Sequence, residues 1–151
     1  MYCEFFGLHA LPFNNTPDPR FFFNTPDHEE ALASLLYAAQ ERKGFVLVTG
    51  EVGSGKSTAA RIFTTSLNTN LYKILYVHFA TGSALDLLRQ IALALDLQPA
   101  HFRGLLVRQI ADAIVRLNQS KKQHPILICD EAHLLPHPAL EQLPLLLNFD
   151  M

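Results

Sequence analysis

The chain of 151 residues has no tryptophan, two cysteines and few charged residues, 17% of the total. Each shortage excludes something. Cys3 and Cys129 are too few for a disulfide framework, and Cys129 lies inside an apolar run, a usage suited to a reducing cytosol. No apolar stretch approaches the roughly 18 residues needed to span a bilayer. Met1-Tyr2-Cys3-Glu4 lacks the basic start of a signal peptide. An excess of one charge sign is also missing. The formal net charge is -2 and the pI about 6.4, so nothing global draws the chain to nucleic acid or anionic lipid. At 49% hydrophobic, the composition is that of a folded protein rather than a disordered one. Secreted, fibrous and membrane-spanning classes are set aside. What is left is one domain, long enough to bury roughly 68–70% of its unfolded surface.

The chain has no internal repeat and no low-complexity tract. Its first part is aromatic and proline-rich, with Phe5-Phe6-Gly7-Leu8, Leu11-Pro12-Phe13, Pro17-Asp18-Pro19 and Phe21-Phe22-Phe23. X-Pro steps keep a chain extended, so residues 1–26 read as an arm laid on a domain that occupies 27–151. Its phenylalanines are expected out of water.

Thr25-Pro26-Asp27 reads as a helix start, with Leu32, Leu35, Leu36 and Ala39 on one face and Gly44 as the stop. Phe45-Val46-Leu47-Val48-Thr49 is a short unbroken apolar run, the pattern of a strand buried on both faces. A glycine-rich turn, a helix over about 56–67 and a strand over 72–79 follow. Ser83 caps a helix that buries Leu85, Leu88, Ile91, Ala92 and Leu95. The next helix, about 102–119, buries Leu105, Leu106, Ile110, Ile114 and Leu117. Pro125-Ile126-Leu127-Ile128-Cys129 predicts a third buried strand, and 138–149 a last helix with Pro144 unexpectedly inside it. Strands alternating with helices give an α/β fold with a mainly parallel sheet.

Gly50-Glu51-Val52-Gly53-Ser54-Gly55-Lys56-Ser57 matches the phosphate-loop pattern G-x-x-x-x-G-K-[ST]. Glycines let such a loop curl until backbone N–H groups face phosphate oxygens, and the helix that follows adds the positive end of its dipole. Gly50, Glu51, Val52, Gly53, Ser54 and Gly55, with Lys56, Ser57 and Thr58 opening the helix, are the expected nucleotide-binding residues. Lys56 is placed to reach the β- and γ-phosphates, and the Ser57 hydroxyl to ligate Mg²⁺. The position between a buried strand and an amphipathic helix is the context this motif needs.

Ile126-Leu127-Ile128-Cys129-Asp130-Glu131 is an apolar strand ending in two carboxylates, the Walker B pattern. Strand ends of this kind face the crevice where α/β proteins bind ligands. Asp130 is the candidate for the Mg²⁺ shell, Glu131 for the group that polarises the attacking water. Asp130-Glu131-Ala132-His133 also spells a helicase box, but no coupling motif or second motor domain accompanies it. His133 and His137 are spaced for zinc on a helix; Pro136 and Pro138 argue against that helix. The other five histidines are scattered, and no Ser–His–Asp or Cys–His arrangement carries a local signature. Arg103, Arg108 and Arg116 lie along one helix and read as a solvated face.

Beyond the phosphate loop, Tyr2, Phe5-Phe6-Gly7-Leu8, Pro12-Phe13, Pro17-Asp18-Pro19, His28, Ala31-Leu32, Gly44-Phe45, Asp130-Glu131-Ala132-His133-Leu134 and Leu145-Leu146-Leu147-Asn148-Phe149 resemble the general secretion pathway A ATPases. These are AAA+ ATPases linked to type II secretion, with transposition helper ATPases as relatives. The resemblance runs along the whole chain. It implies a P-loop NTPase of the AAA+ (ASCE) type, a three-layer αβα domain, incomplete at its C-terminal side. It also implies ATP and Mg²⁺ as cofactors, hydrolysis that drives assembly or remodelling of a secretion-type complex, and a homo-oligomeric ring in the full-length form. The expected location is cytoplasmic, at the inner face of the inner membrane for that longer form.

Two departures from the family pattern shape these expectations. Sensor 1, the trans-acting arginine and sensor 2 have no counterpart before Met151, so the centre of the sheet is expected to be missing and turnover slow. The family's Asn-Pro after the second strand is replaced by Phe79-Ala80, so the polar restraint on Glu131 is expected either to be absent or to have moved to His78. Pro12-Phe13 could line a base pocket by analogy or serve the core. The alternative functions are an ATP-dependent DNA-binding regulator, disfavoured by the near-neutral charge, and a nucleotide-binding module with little hydrolysis.

Overall fold

The computed structural model describes residues 2–9, 22–78 and 82–147. They fall into two compact units, residues 1–66 and 67–151.

In the first unit, Tyr2–Phe5 form one helical turn, α1. Gly7, at φ +62°, turns the chain so that the Leu8 N–H returns to the Cys3 carbonyl at 2.8 Å. Phe5 and Phe6 meet edge to face at 4.9 Å, and both are exposed, as is Phe23. The expectation of phenylalanines withdrawn from water therefore does not hold at these three positions, because a single turn of helix offers them no apolar surface beyond each other. Phe22 packs on the His28 ring, centroids 4.9 Å apart. Pro12-Phe13 and the Pro17-Asp18-Pro19 run lie outside the described residues.

Helix α2, Pro26–Gln40, begins at the cap its sequence announces. Thr25 Oγ1 accepts from the His28 N–H, Pro26 fills the first helical position, and Asp27 and Glu29 stand by the positive end of the dipole. The helix stops before Gly44. Arg42 takes the left-handed conformation, φ 51°, and the Lys43 N–H returns to the Ala38 carbonyl at 2.9 Å. This closing motif usually recruits glycine; here arginine adopts it. Helix α3, Lys56–Ser66, packs against α2 and buries Ala59 and Phe63.

Between α2 and α3 the structure departs from the sequence-based expectation. Residues 45–50 form no strand, and Phe45, Val46, Leu47 and Val48 are exposed. A strand exists through its ladder partners, and among the described residues none pairs with this segment. The apolar run alone cannot supply them.

Among its described residues the second unit has two strands, β1 (Tyr72–His78) and β2 (His124–Asp130), paired in parallel. The register sets Leu75 opposite Leu127, Val77 opposite Cys129, and Tyr76 opposite Ile128. Parallel neighbours need a long crossover. Here it carries α4 (Ala84–Ala94) and α5 (Arg103–Arg116), which runs on into a wider turn over Leu117–Lys121. Ser83 and Asp86 cap α4 reciprocally, each accepting from the other's backbone N–H. The Ser83 hydrogen bonds, then Arg89, hold the Asp86 carboxyl below its ordinary range. The depressed value means this cap contributes at neutral pH and is lost as the pH falls through the carboxylate range.

Leu75 and Val77 meet Leu87, Leu88, Ile91, Ala92 and Leu95 of the α4 segment and Leu106, Ile110, Ile114 and Leu117 of the α5 segment. Alternation along the strands puts Leu127 and Cys129 against this core and leaves Tyr76, Ile128 and Asp130 on the other face. Leu87 is buried where the sequence analysis passed over it, and Leu105 is exposed where burial was expected. Because α5 starts at Arg103, its buried stripe follows Leu106, Ile110 and Ile114, four residues apart, and Leu105 falls beside that stripe. The last apolar stretch is two short helices, α6 (His137–Leu140) and α7 (Gln142–Leu147). Pro144 sits in the first turn of α7, where its missing N–H has no helical partner to lose.

Candidate functional site

The phosphate-loop residues form a turn that opens directly into α3. Gly53 and Gly55 have φ +81° and +84°, a region closed to most side chains. The Ser54 N–H donates to the Glu51 carbonyl at 3.2 Å. Lys56, the first residue of α3, folds back so that Nζ donates to the carbonyls of Gly50 at 2.9 Å and Glu51 at 2.6 Å. Ser54 Oγ is 3.5 Å from the same nitrogen. The ammonium therefore lies within the curl of the loop, beside the positive end of the α3 dipole. No acidic residue occupies the first turn of α3. Ser57 and Thr58 follow in that turn, half-buried. This donor set fits a polyphosphate: positive potential, a lysine, and a hydroxyl one residue on.

His28 also touches this loop. Its Nε2 is 3.0 Å from the Ser54 carbonyl oxygen and its Nδ1 is 2.8 Å from Thr25 Oγ1.

In the second unit, Asp130 ends β2 with both carboxylate oxygens engaged. Tyr76 Oη donates to Oδ2 at 3.0 Å, and the Glu131 N–H donates to Oδ1 at 3.0 Å. Tyr76 reaches Asp130 along the diagonal of the parallel register, two residues beyond its direct partner Ile128. These two bonds fix the plane of the Asp130 carboxylate. Glu131 leaves the strand in the left-handed conformation, φ 54°, ψ 38°, with an exposed side chain whose Oε2 lies 3.4 Å from His133 Nδ1. His137 instead faces Glu141 at 3.4 Å, so the two histidines address different carboxylates. Phe79-Ala80 and the His78 side chain lie outside what the structure describes.

Cys129, beside Asp130, faces the core, and burial pushes its thiol up to about 11. It should stay protonated and resist iodoacetamide at pH 7.5, since the thiolate is the nucleophile. Mass spectrometry of the folded chain after brief alkylation checks this, with modification of Cys129 only after denaturation as the expected result.

Comparison with known proteins places this arrangement. The sequence model of the AAA domain family matches residues 39–151, from the end of α2 onward. The chain belongs to the AAA domain family. Its domain is thus a nucleotide-binding ATPase domain of the AAA type, a P-loop NTPase with an α/β fold. The chain is also similar to general secretion pathway protein A of Aeromonas hydrophila, 38% identical over 152 residues. That match takes in 99% of this chain and 27% of the relative, so the chain spans about a quarter of the relative's length. No solved structure matches the chain significantly. Among the described residues, no helix is long and apolar enough to cross a membrane.

His28 and Tyr76 were not singled out as site residues from the sequence. His28 sits 26 positions before Ser54, and Tyr76 54 positions before Asp130. The available signal for His28 was its place three residues after the Thr25 cap, which fixes its backbone at a helix start. Tyr76 had no signal beyond a polar tip in an apolar strand.

Proposed function

We propose that this chain binds ATP with Mg²⁺ through Gly50–Thr58 and hydrolyses it, in the service of assembling or remodelling a secretion-type complex. The observation that carries the reading is the loop itself. Its glycines adopt the curled conformation, and Lys56 is drawn onto the carbonyls of Gly50 and Glu51 at the start of α3. In this reading Lys56 neutralises the β- and γ-phosphates, Ser57 and Asp130 hold the Mg²⁺ shell, and Glu131 orients and deprotonates the attacking water. The Tyr76 hydroxyl keeps the Asp130 carboxylate in one plane. The name of the Aeromonas relative, whose similarity takes in 99% of this chain, supports the secretion setting, and a homo-oligomeric ring is the expected working form.

Lys56 is the one cation that the two motifs themselves provide. A second cation, supplied as an arginine from a neighbour, contributes roughly 10³–10⁵ in rate to phosphoryl transfer. The chain alone should therefore bind ATP and turn it over slowly. Release of phosphate measured on the purified chain checks this: slow, Mg²⁺-dependent turnover is expected. Turnover of several per second that Lys56→Ala abolishes would contradict it. ATP-dependent binding to duplex DNA, falling steeply with salt, would transfer the partner assignment to a DNA-acting ATPase.

A further inference from the structure

We propose that His28 is a positioning residue for the phosphate loop: it clamps the Ser54 carbonyl and thereby aims the Gly55 N–H toward the phosphate side. The contact itself is independent of the nucleotide reading; only its consequence for affinity rests on it.

The hydrogen bond to Ser54 fixes the proton on one ring nitrogen. A carbonyl oxygen only accepts, so His28 Nε2 carries the proton that meets Ser54 O at 3.0 Å. In the neutral ring Nδ1 is then an acceptor, and the Thr25 hydroxyl donates to it at 2.8 Å. Thr25 Oγ1 keeps a lone pair for the His28 N–H at 3.4 Å, its capping bond. One threonine thus caps α2 and selects the imidazole tautomer. On its flank the ring meets Phe22, centroids 4.9 Å apart and tilted by 59°.

The consequence for the loop follows from peptide geometry. In a planar trans peptide the carbonyl and the following N–H point in opposite directions. The Ser54–Gly55 peptide turns on ψ of Ser54 and φ of Gly55, and Gly55, at φ +84°, has no side chain to oppose that rotation. Holding Ser54 O against His28 turns the Gly55 N–H away from the ring. Lys56 holds the carbonyls of Gly50 and Glu51 in the same way from inside the curl. The ring also presses on Gly55 so closely that a Cβ there would lie 2.8 Å from His28 Nε2. The clamp and the glycine are therefore matched parts.

The test compares two amide variants of the full chain. In His28→Gln the amide nitrogen falls near the place of Nε2 and can still donate to Ser54 O. In His28→Asn the shorter amide reaches only the Thr25 side. Amide NMR spectra without nucleotide, and calorimetric titration with MgATP, are recorded for both. The expected result is sharp Gly53–Lys56 resonances in the unmutated chain and His28→Gln, broadened ones in His28→Asn, and MgATP affinity roughly tenfold weaker in His28→Asn alone, the scale of one lost hydrogen bond. Equal loss in both variants would show that the ring's bulk against Phe22 matters rather than the clamp. Unchanged loop resonances in His28→Asn would also overturn the proposal. If the unmutated chain binds no MgATP, the nucleotide reading fails, while the resonances still decide the clamp.

Discussion

Glu131→Gln should bind MgATP within about threefold of the unmutated chain yet hydrolyse it roughly 10²–10⁴-fold more slowly, the span of a positioned general base. The amide keeps the size of the side chain and cannot take the proton of the attacking water. Glu131 is exposed, and its close neighbour is His133 at 3.4 Å, so the change leaves the core of its unit untouched. The backbone marks the position, since a non-glycine residue stands at φ 54° directly after the strand. Single-turnover hydrolysis with excess protein, beside calorimetric binding, separates the two effects. Equal losses in binding and hydrolysis would give Glu131 a structural rather than a chemical role.

Lys56→Ala should have the opposite signature, removing binding itself. It deletes the charge within the loop and both bonds to the Gly50 and Glu51 carbonyls. A ligand at 100 times its dissociation constant stabilises the folded state by about 2.7 kcal/mol, which appears as a rise in the melting temperature. The unmutated chain should show such a rise with MgATP. In Lys56→Ala the rise should vanish, while the melting temperature without nucleotide changes little, because Lys56 makes its bonds at an exposed loop rather than in a core. A rise of equal size in the variant would move the nucleotide away from this loop.

The parts legible in the sequence were those whose physics is local. The phosphate loop is written in eight consecutive residues because its geometry comes from glycine φ angles and the first turn of one helix. The Thr25 and Ser83 caps are local too, each acting over three residues. Sequence periodicity located α4 and α5, but it missed the buried Leu87 and misplaced Leu105, where the helix start decided the phase. Phe45–Thr49 was the larger departure. An apolar run states that a segment is able to enter a sheet, whereas the ladder that makes it a strand is held by other segments. Asp130 and Glu131 were readable at a strand end, but one of the bonds that orient Asp130, from Tyr76, crosses from another strand. His28 was unreadable for the same reason, since Ser54 finds it only through the packing of α2 on α3.

The most direct test of the account is a calorimetric titration of the purified chain with ATP, once with Mg²⁺ and once with the metal chelated. The account predicts one saturable site, tighter with Mg²⁺, through the Ser57 hydroxyl and the Asp130 carboxylate. No saturable heat in a sample that circular dichroism finds folded would contradict it, because a formed Gly50–Thr58 loop with Lys56 in place should hold a polyphosphate.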